Sequence, residues 1–201
     1  MLIDIDCIRG SRAWDPVAVS SSIPEQKTAL RRRMRLMRDL IDDRVLRSIG
    51  LWAEVAALPA YASATCVMAF AATRGEPDTD SLFARLAADG KTLVLPSVED
   101  DAIVPRLVGA GLVPGAHGIQ SPQGDVVAAG VLDLVLVPGL AFTSGGARLG
   151  QGGGHYDRFL AQLPASCVTV GVCFAEQLVD DVPSEQHDAN VSCVVADALP
   201  E

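Results

Sequence analysis

The residues best suited to chemistry sit in one run, Arg148-Leu149-Gly150-Gln151-Gly152-Gly153-Gly154-His155-Tyr156-Asp157-Arg158, which follows the apolar stretch Val137-Pro138-Gly139-Leu140-Ala141-Phe142. Glycine takes positive φ without steric cost and lets the backbone approach a ligand closely, while N–H groups at a helix start suit phosphate oxygens. The run lacks the Gly-Lys-Ser/Thr ending of a P-loop and the spacing and acidic follow-up of a dinucleotide fingerprint. A glycine count alone fits a tight connection as well as it fits a ligand loop. Two flanking residues favour the ligand: Arg148, whose guanidinium fork suits phosphate, and Asp157, a carboxylate able to hold a hard cation. Cation, glycine loop and carboxylate together point to a magnesium nucleotide.

Positioning these groups requires a strand before the loop and a helix after it. Residues 132–137 are almost wholly apolar and read as a strand buried on both faces, and 156–163 reads as the following helix. Upstream, Ser22-Ile23-Pro24-Glu25 fits a capping box with proline in the first turn, opening a helix that runs to about residue 40. Leu30, Met34, Met37 and Ile41 form its buried stripe, and Lys27, Arg31, Arg35 and Arg38 fall on a different face. A second helix is expected over 43–58, ending before Pro59, with Val45, Ile49, Trp52 and Val55 or Ala56 inward. Strands are expected at 64–70, 92–95 and 168–173 and an extended piece at 103–108, with a helix at 79–88 stopped by Gly90 and a glycine- and proline-rich loop over 109–124. This alternation predicts an α/β sandwich with a mostly parallel sheet, whose ligand sites lie outside the carboxyl ends of the strands. Residues 1–22 lack periodicity and read as an irregular extension, leaving 23–201 as a single domain.

Composition narrows the function classes. The chain has 201 residues, about half of them hydrophobic, which suffices for one sizeable core. A net charge of -9 argues against a broad basic face for nucleic acid. Cys7, Cys66, Cys167, Cys173 and Cys193 form no CxxC pair and read as buried thiols in a reducing compartment. No apolar run spans a bilayer, and Asp4 and Asp6 stand where a secretory leader needs cations, so a soluble cytoplasmic protein is expected. His117, His155 and His187 lack metal-ligand spacing, and no cysteine has an activating neighbour, which disfavours nucleophilic catalysis.

Beyond its loop, the chain resembles the 5-formyltetrahydrofolate cyclo-ligase family, also called methenyltetrahydrofolate synthetases. The resemblance rests on Pro138-Gly139-Leu140-Ala141-Phe142, Arg148-Leu149-Gly150, Gly152-Gly153-Gly154 and Tyr156-Asp157-Arg158. It extends through Lys27-Thr28-Ala29-Leu30-Arg31, Glu76-Pro77-Asp78-Thr79, Leu95-Pro96, Gly118-Ile119, Pro122, Phe174 to Val182, Pro183 and His187-Asp188. It implies a Rossmann-like three-layer α/β/α sandwich similar to sugar-phosphate isomerases and CoA transferases. It further implies ATP- and Mg2+-dependent closure of 5-formyltetrahydrofolate to 5,10-methenyltetrahydrofolate through a phosphorylated imidate.

The resemblance also assigns residues. Lys27, Arg31 and Arg148 would be catalytic. ATP would lie against Lys27, Thr28, Ala29, Leu30, Arg31 and the run Arg148, Leu149, Gly150, Gln151, Gly152, Gly153, Gly154, His155 and Tyr156. The folate would meet Arg31, Glu76 and Gln151 to His155, that is Gln151, Gly152, Gly153, Gly154 and His155, while Asp157 and Asp188 would hold Mg2+. Arg32, Arg33, Arg35 and Arg38 are left on the surface, and Met68 and Phe70 read as core strand residues able to flank a pterin. Two positions depart from the family: His155 replaces the first tyrosine of a Tyr-Tyr-Asp motif, and Ser192 stands where an acidic residue is common. The expected partners are 5-formyltetrahydrofolate, possible as a polyglutamate, and ATP, with no nucleic acid or membrane, and a monomer or weak homodimer. A non-catalytic nucleotide- or folate-binding paralogue and a sugar-phosphate isomerase are the alternatives; ADP release dependent on a formylated folate separates them.

Overall fold

The computed structural model describes residues 22–73, 75–115 and 120–198. Apart from Ser22, the expected N-terminal extension lies outside the described residues, as do Cys7, His117 and Gly118-Ile119. Helix α1 (Ile23–Asp39) begins where the capping signal places it, with the Ser22 backbone N–H donating to Glu25 Oε2 at 2.8 Å and Pro24 in the first turn. Met34 and Ile41 are buried and Leu30 and Met37 half-buried, as their spacing requires. Arg38 departs from its expected surface position: it is only 4% exposed, and its Nε donates to the carbonyl of Gly75 at 2.8 Å. The guanidinium fills the space beneath the loop that carries Glu76, and burial lowers its pKa.

Helix α2 (Arg44–Ala56) is rotated from its expected orientation. Val45 and Ile49 are 63% and 51% exposed, and the buried face is Ser48, Leu51, Trp52 and Val55. Polar partners explain the rotation. Ser48 Oγ donates to Arg44 O and accepts the N–H of Asp78, Trp52 Nε1 donates to Asp78 O, and Arg47 reaches Glu176 and Asp197. Turning these groups inward gives the backbone of Asp78 and the buried carboxylate of Asp197 their partners. A separate short helix, α3 (Pro59–Ser63), then starts at the proline that was expected to end α2.

Strand β1 (Cys66–Met68) is shorter than the expected 64–70 and is followed by α4 (Asp80–Ala88). Strand β2 (Thr92–Glu99) runs four residues past its expected end and forms a hairpin with β3 (Ala102–Leu107), pairing Pro96 with Pro105. Pro105 is tolerated because β3 is the edge of the sheet, and Pro96 because it lies beyond Val94, the last β2 residue paired with β1. The 109–124 segment is not wholly loop, since β4 (Leu112–Pro114) pairs with β5 (Gln120–Pro122) within it. After β6 (Leu134–Val137) comes a small antiparallel ribbon of β7 (Ala141–Phe142) and β8 (Arg148–Leu149), which no periodic pattern in the sequence marks. Helix α5 (His155–Leu160) is shorter than the expected 156–163; β9 (Val168–Cys173) and β10 (Cys193–Ala196) follow.

The main sheet has the order β10-β9-β6-β1-β2-β3, parallel throughout except for the β2–β3 hairpin. Its two faces are covered by different helices. Leu134 and Leu136 of β6 pack with Leu51, Trp52, Leu82 and Leu86 of α2 and α4, while Val135 and Val137 pack with Phe142 and with Phe159 and Leu160 of α5. The carboxyl ends of β1, β2 and β6 are thereby left to form a cleft.

Candidate active site

Two clefts meet at the glycine loop. The larger, about 450 Å³, is walled by Phe70 and Ala71 beyond β1, by Pro96, Val98 and Ile103 of the β2–β3 hairpin, and by Pro138 and Gly139 beyond β6. Its polar groups are few: Thr73, Glu76, Arg148, Gln151, His155, Tyr156 and Asp157. The smaller, about 210 Å³, is lined by Pro24, Lys27, Thr28 and Arg31 of α1, by Leu149 and Gly152, and by Glu185, His187 and Asp188. Arg148, Gly150, Gly154 and Asp157 border both.

Arg148 is the joint between them. The β7–β8 ribbon pairs it with Phe142, and its side chain is only 3% exposed. Nη2 donates to Asp157 Oδ1 at 2.8 Å, and the guanidinium carbon lies 5.5 Å from the centre of the Tyr156 ring. A Cβ at position 150 would lie 2.7 Å from Arg148 Nη1, so glycine there leaves the arginine its place. Arg148 Nε and the Tyr156 hydroxyl are buried without a hydrogen-bond partner among the described residues, although the tyrosine ring itself is half-buried against the cleft. Burial, reinforced by the negative charge of Glu76, raises the Tyr156 pKa and keeps its hydroxyl protonated. Two adjacent donors are thus held ready for acceptor atoms.

In the smaller cleft Lys27, 6% exposed, donates to Glu185 Oε2 at 2.8 Å and to both carboxylate oxygens of Asp188, at 2.8 and 2.6 Å. Burial would lower the lysine pKa, but bonding to Asp188 and Glu185 outweighs it and holds the pKa above 10.5. For Asp188, burial works upward, but the lysine and the Glu185 N–H together bring its pKa below the ordinary carboxylate value. Arg31 Nε donates to Gly150 O at 3.0 Å and lies over Gly152, and Arg35 bonds to Gln151, so α1 grips the loop at two points. Gly154 takes φ 67° to cap α5, a conformation that glycine adopts freely.

Most of the expected site residues converge here, with exceptions. Ala29 is exposed, and Leu30 packs near Met34, Leu140 and Leu149, so neither lines a cleft. Met68 is wholly buried in the sheet, while Phe70 faces the larger cleft. Glu76 lines that cleft with its carboxylate fixed by the N–H and hydroxyl of Thr73, both at 2.8 Å. Ser192 lines neither cleft; its hydroxyl and N–H bond to Thr169, joining the connection before β10 to β9. With six residues, α5 offers a shorter run of aligned dipoles than the sequence pattern led one to expect.

Sequence reasoning missed Glu185, the hairpin wall and Gln177. Buried Gln177 donates to the carbonyls of Gly139 and Leu140, both at 3.0 Å, and so fixes the loop beyond β6. No local spacing marks these residues, because each works across a long stretch of chain. Cys167 and Cys173 carry no such role: burial pushes Cys167 up to about 11 and Cys173 up to about 12, away from thiolate chemistry.

The carboxylates of the smaller cleft offer hard oxygen donors of the kind that magnesium accepts. Among the described residues no three metal-ligating side chains are gathered into a ready-made cluster. Magnesium commonly takes one or two carboxylates and completes its shell with phosphates and water. Also among the described residues, no helix is long and apolar enough to cross a membrane.

Comparison with known proteins shows the family. The profile of the 5-formyltetrahydrofolate cyclo-ligase family matches residues 23–197. A protein of Mycolicibacterium smegmatis named 5-formyltetrahydrofolate cyclo-ligase is 32% identical over 143 residues, 66% of this chain and 74% of that one. The mouse protein of the same name is 26% identical over 207 residues, covering 92% of this chain and 98% of its own. The solution structure of Aquifex aeolicus 5,10-methenyltetrahydrofolate synthetase superposes with a TM-score of 0.75 at 32% identity, over 85% of this chain and 89% of that one. By profile, sequence and fold, the chain belongs to the 5-formyltetrahydrofolate cyclo-ligase family of enzymes.

Proposed function

We propose that the chain closes 5-formyltetrahydrofolate to 5,10-methenyltetrahydrofolate, consuming ATP and releasing ADP and phosphate. The observation that carries this reading is the junction of a mostly apolar cleft with a charged one at Arg148. A flat pterin suits the first, where the fixed Glu76 carboxylate can accept hydrogen bonds from ring N–H and amino groups. The triphosphate suits the second, with its tail beside Lys27, Arg31 and the loop amides. The reacting atoms then meet beside Arg148 and Tyr156.

The formyl oxygen attacks the γ-phosphorus, the bond to the bridging oxygen breaks, and ADP leaves. The former carbonyl oxygen is now part of a phosphate leaving group. N10 attacks the activated carbon, the carbon–oxygen bond breaks, phosphate departs, and N10 loses its proton. Phosphoryl transfer asks a protein chiefly for position and charge, which Arg148, Lys27 and Arg31 supply without a covalent protein intermediate. Asp157 and Asp188 would hold magnesium, which neutralises phosphate charge when bound.

Purified protein mixed with 5-formyltetrahydrofolate, magnesium and ATP should produce the near-UV absorbance of methenyltetrahydrofolate. Samples without ATP and with Arg148→Ala should not. A folded, ATP-binding wild-type protein that gives no rise would overturn the proposal.

A further inference from the structure

The β2–β3 hairpin ends in a two-residue turn, Asp100 and Asp101, both left-handed at φ 45° and 64°. This is the backbone pattern of a tight hairpin turn matched to strand twist, and here neither position is glycine. The turn brings Asp101 against the glycine loop. Asp101 Oδ1 lies 2.8 Å from His155 Nε2; Arg158 Nη2 donates to Asp101 O at 2.6 Å and to Oδ2 at 3.0 Å. Arg158 Nη1 also donates to Gly153 O at 3.1 Å. One aspartate therefore ties the wall made by Pro96, Val98 and Ile103 to the opposite wall made by Gly153, Gly154 and His155.

We propose that Asp101 is a positioning residue for the folate: it clasps the two walls of the larger cleft and orients His155 along its edge. The inference rests on the proposed function, which places the pterin in that cleft. It also accounts for the departure at position 155, because a histidine nitrogen there meets a carboxylate held in place by the hairpin turn. Asp101 is 77% exposed at its side chain and belongs to no core cluster, so its removal leaves the packed interior intact. Its effect should appear in substrate binding, not in the chemical step.

Asp101→Ala should raise KM for 5-formyltetrahydrofolate about fivefold, the scale of an exposed charged contact, with kcat and KM for ATP unchanged. Asp101→Asn, which keeps an acceptor, should fall between. In a His155→Phe background the effect of Asp101→Ala should shrink, because part of the clasp is already gone. An equal effect in both backgrounds, a fall in kcat without a change in KM, or no effect would each overturn the proposal. Amide exchange of the unliganded protein provides a reading independent of turnover: residues 97–104 and 151–158 should exchange several-fold faster in Asp101→Ala. Unchanged exchange refutes the clasp itself. If the wild type fails to convert 5-formyltetrahydrofolate while exchange responds, the clasp stands and the folate-positioning role falls with the proposed function.

Discussion

The two clefts share four residues yet are built in opposite ways. The larger takes its shape from the backbone: strand ends, a hairpin and the loop beyond β6 form walls that any apolar side chain of suitable size would finish. The smaller depends on a few charged side chains, some of them joined across more than 150 residues, as Lys27 is to Glu185 and Asp188. Its lining holds three cations, Lys27, Arg31 and Arg148, against three carboxylates, Asp157, Glu185 and Asp188. A bare triphosphate would gain little net attraction from that balance. On the proposed reading, magnesium bound beside the carboxylates tips it, whereas the larger cleft needs shape and one carboxylate.

Substitutions should separate the clefts by the kinetic constant they move. The largest effect belongs to the joint: Arg148→Ala should lower kcat at least about a hundredfold, the scale of losing a preorganised charge stabiliser. Arg148→Lys, which keeps charge without the fork, should recover only part of it. A loss below tenfold in both variants would show that the joint is structural. Next, Lys27→Met should raise KM for ATP about tenfold or more and leave KM for the folate unchanged, a charge-assisted contact being worth about 1.5–3 kcal/mol. Glu76→Gln should do the reverse with a rise of about tenfold or less, since the amide keeps one acceptor. Equal changes in both constants for either variant would erase the division between clefts, and steady-state kinetics with each substrate varied in turn reads all three.

The contrast also explains what the sequence made legible. The parallel sheet could be read because β6 is a continuous apolar run and β9 is one apart from Thr169, and the loop could be read because glycines, Arg148 and Asp157 are close in sequence. Sequence spacing placed Lys27 and Arg31 one turn apart on α1, and both line the smaller cleft. What stayed hidden depended on distant partners. Arg38 looked like part of a solvated basic face and is buried under Gly75, while Val45 and Ile49 looked like core and face water because Arg47, Ser48 and Trp52 find polar partners inside. Glu185 and Asp101 carried no signal because each acts on a residue more than 50 positions away.

The smallest expected effect tests whether a half-buried ion pair outside the clefts is purely structural. Arg47 makes a bidentate pair with Glu176 at 2.7 Å for each bond, and its guanidinium lies 5.0 Å from the Phe174 ring centre. The arginine hydrogen bonds outweigh burial and hold the Glu176 pKa below 4.5. A carboxylate with a depressed folded-state pKa adds stability above its unfolded value and loses it as pH falls through the folded one. Glu176→Gln should therefore lower Tm at pH 7 by about 2–4 °C, corresponding to about 1 kcal/mol. The gap should begin to narrow as pH falls below the ordinary glutamate value of about 4.3 and close only below the depressed folded pKa, where the wild-type carboxylate also becomes neutral. Neither KM should change. A gap that persists at low pH would assign the effect to packing, and a rise in either KM would mean that the neighbouring Gln177 transmits this pair's position to the loop at Gly139.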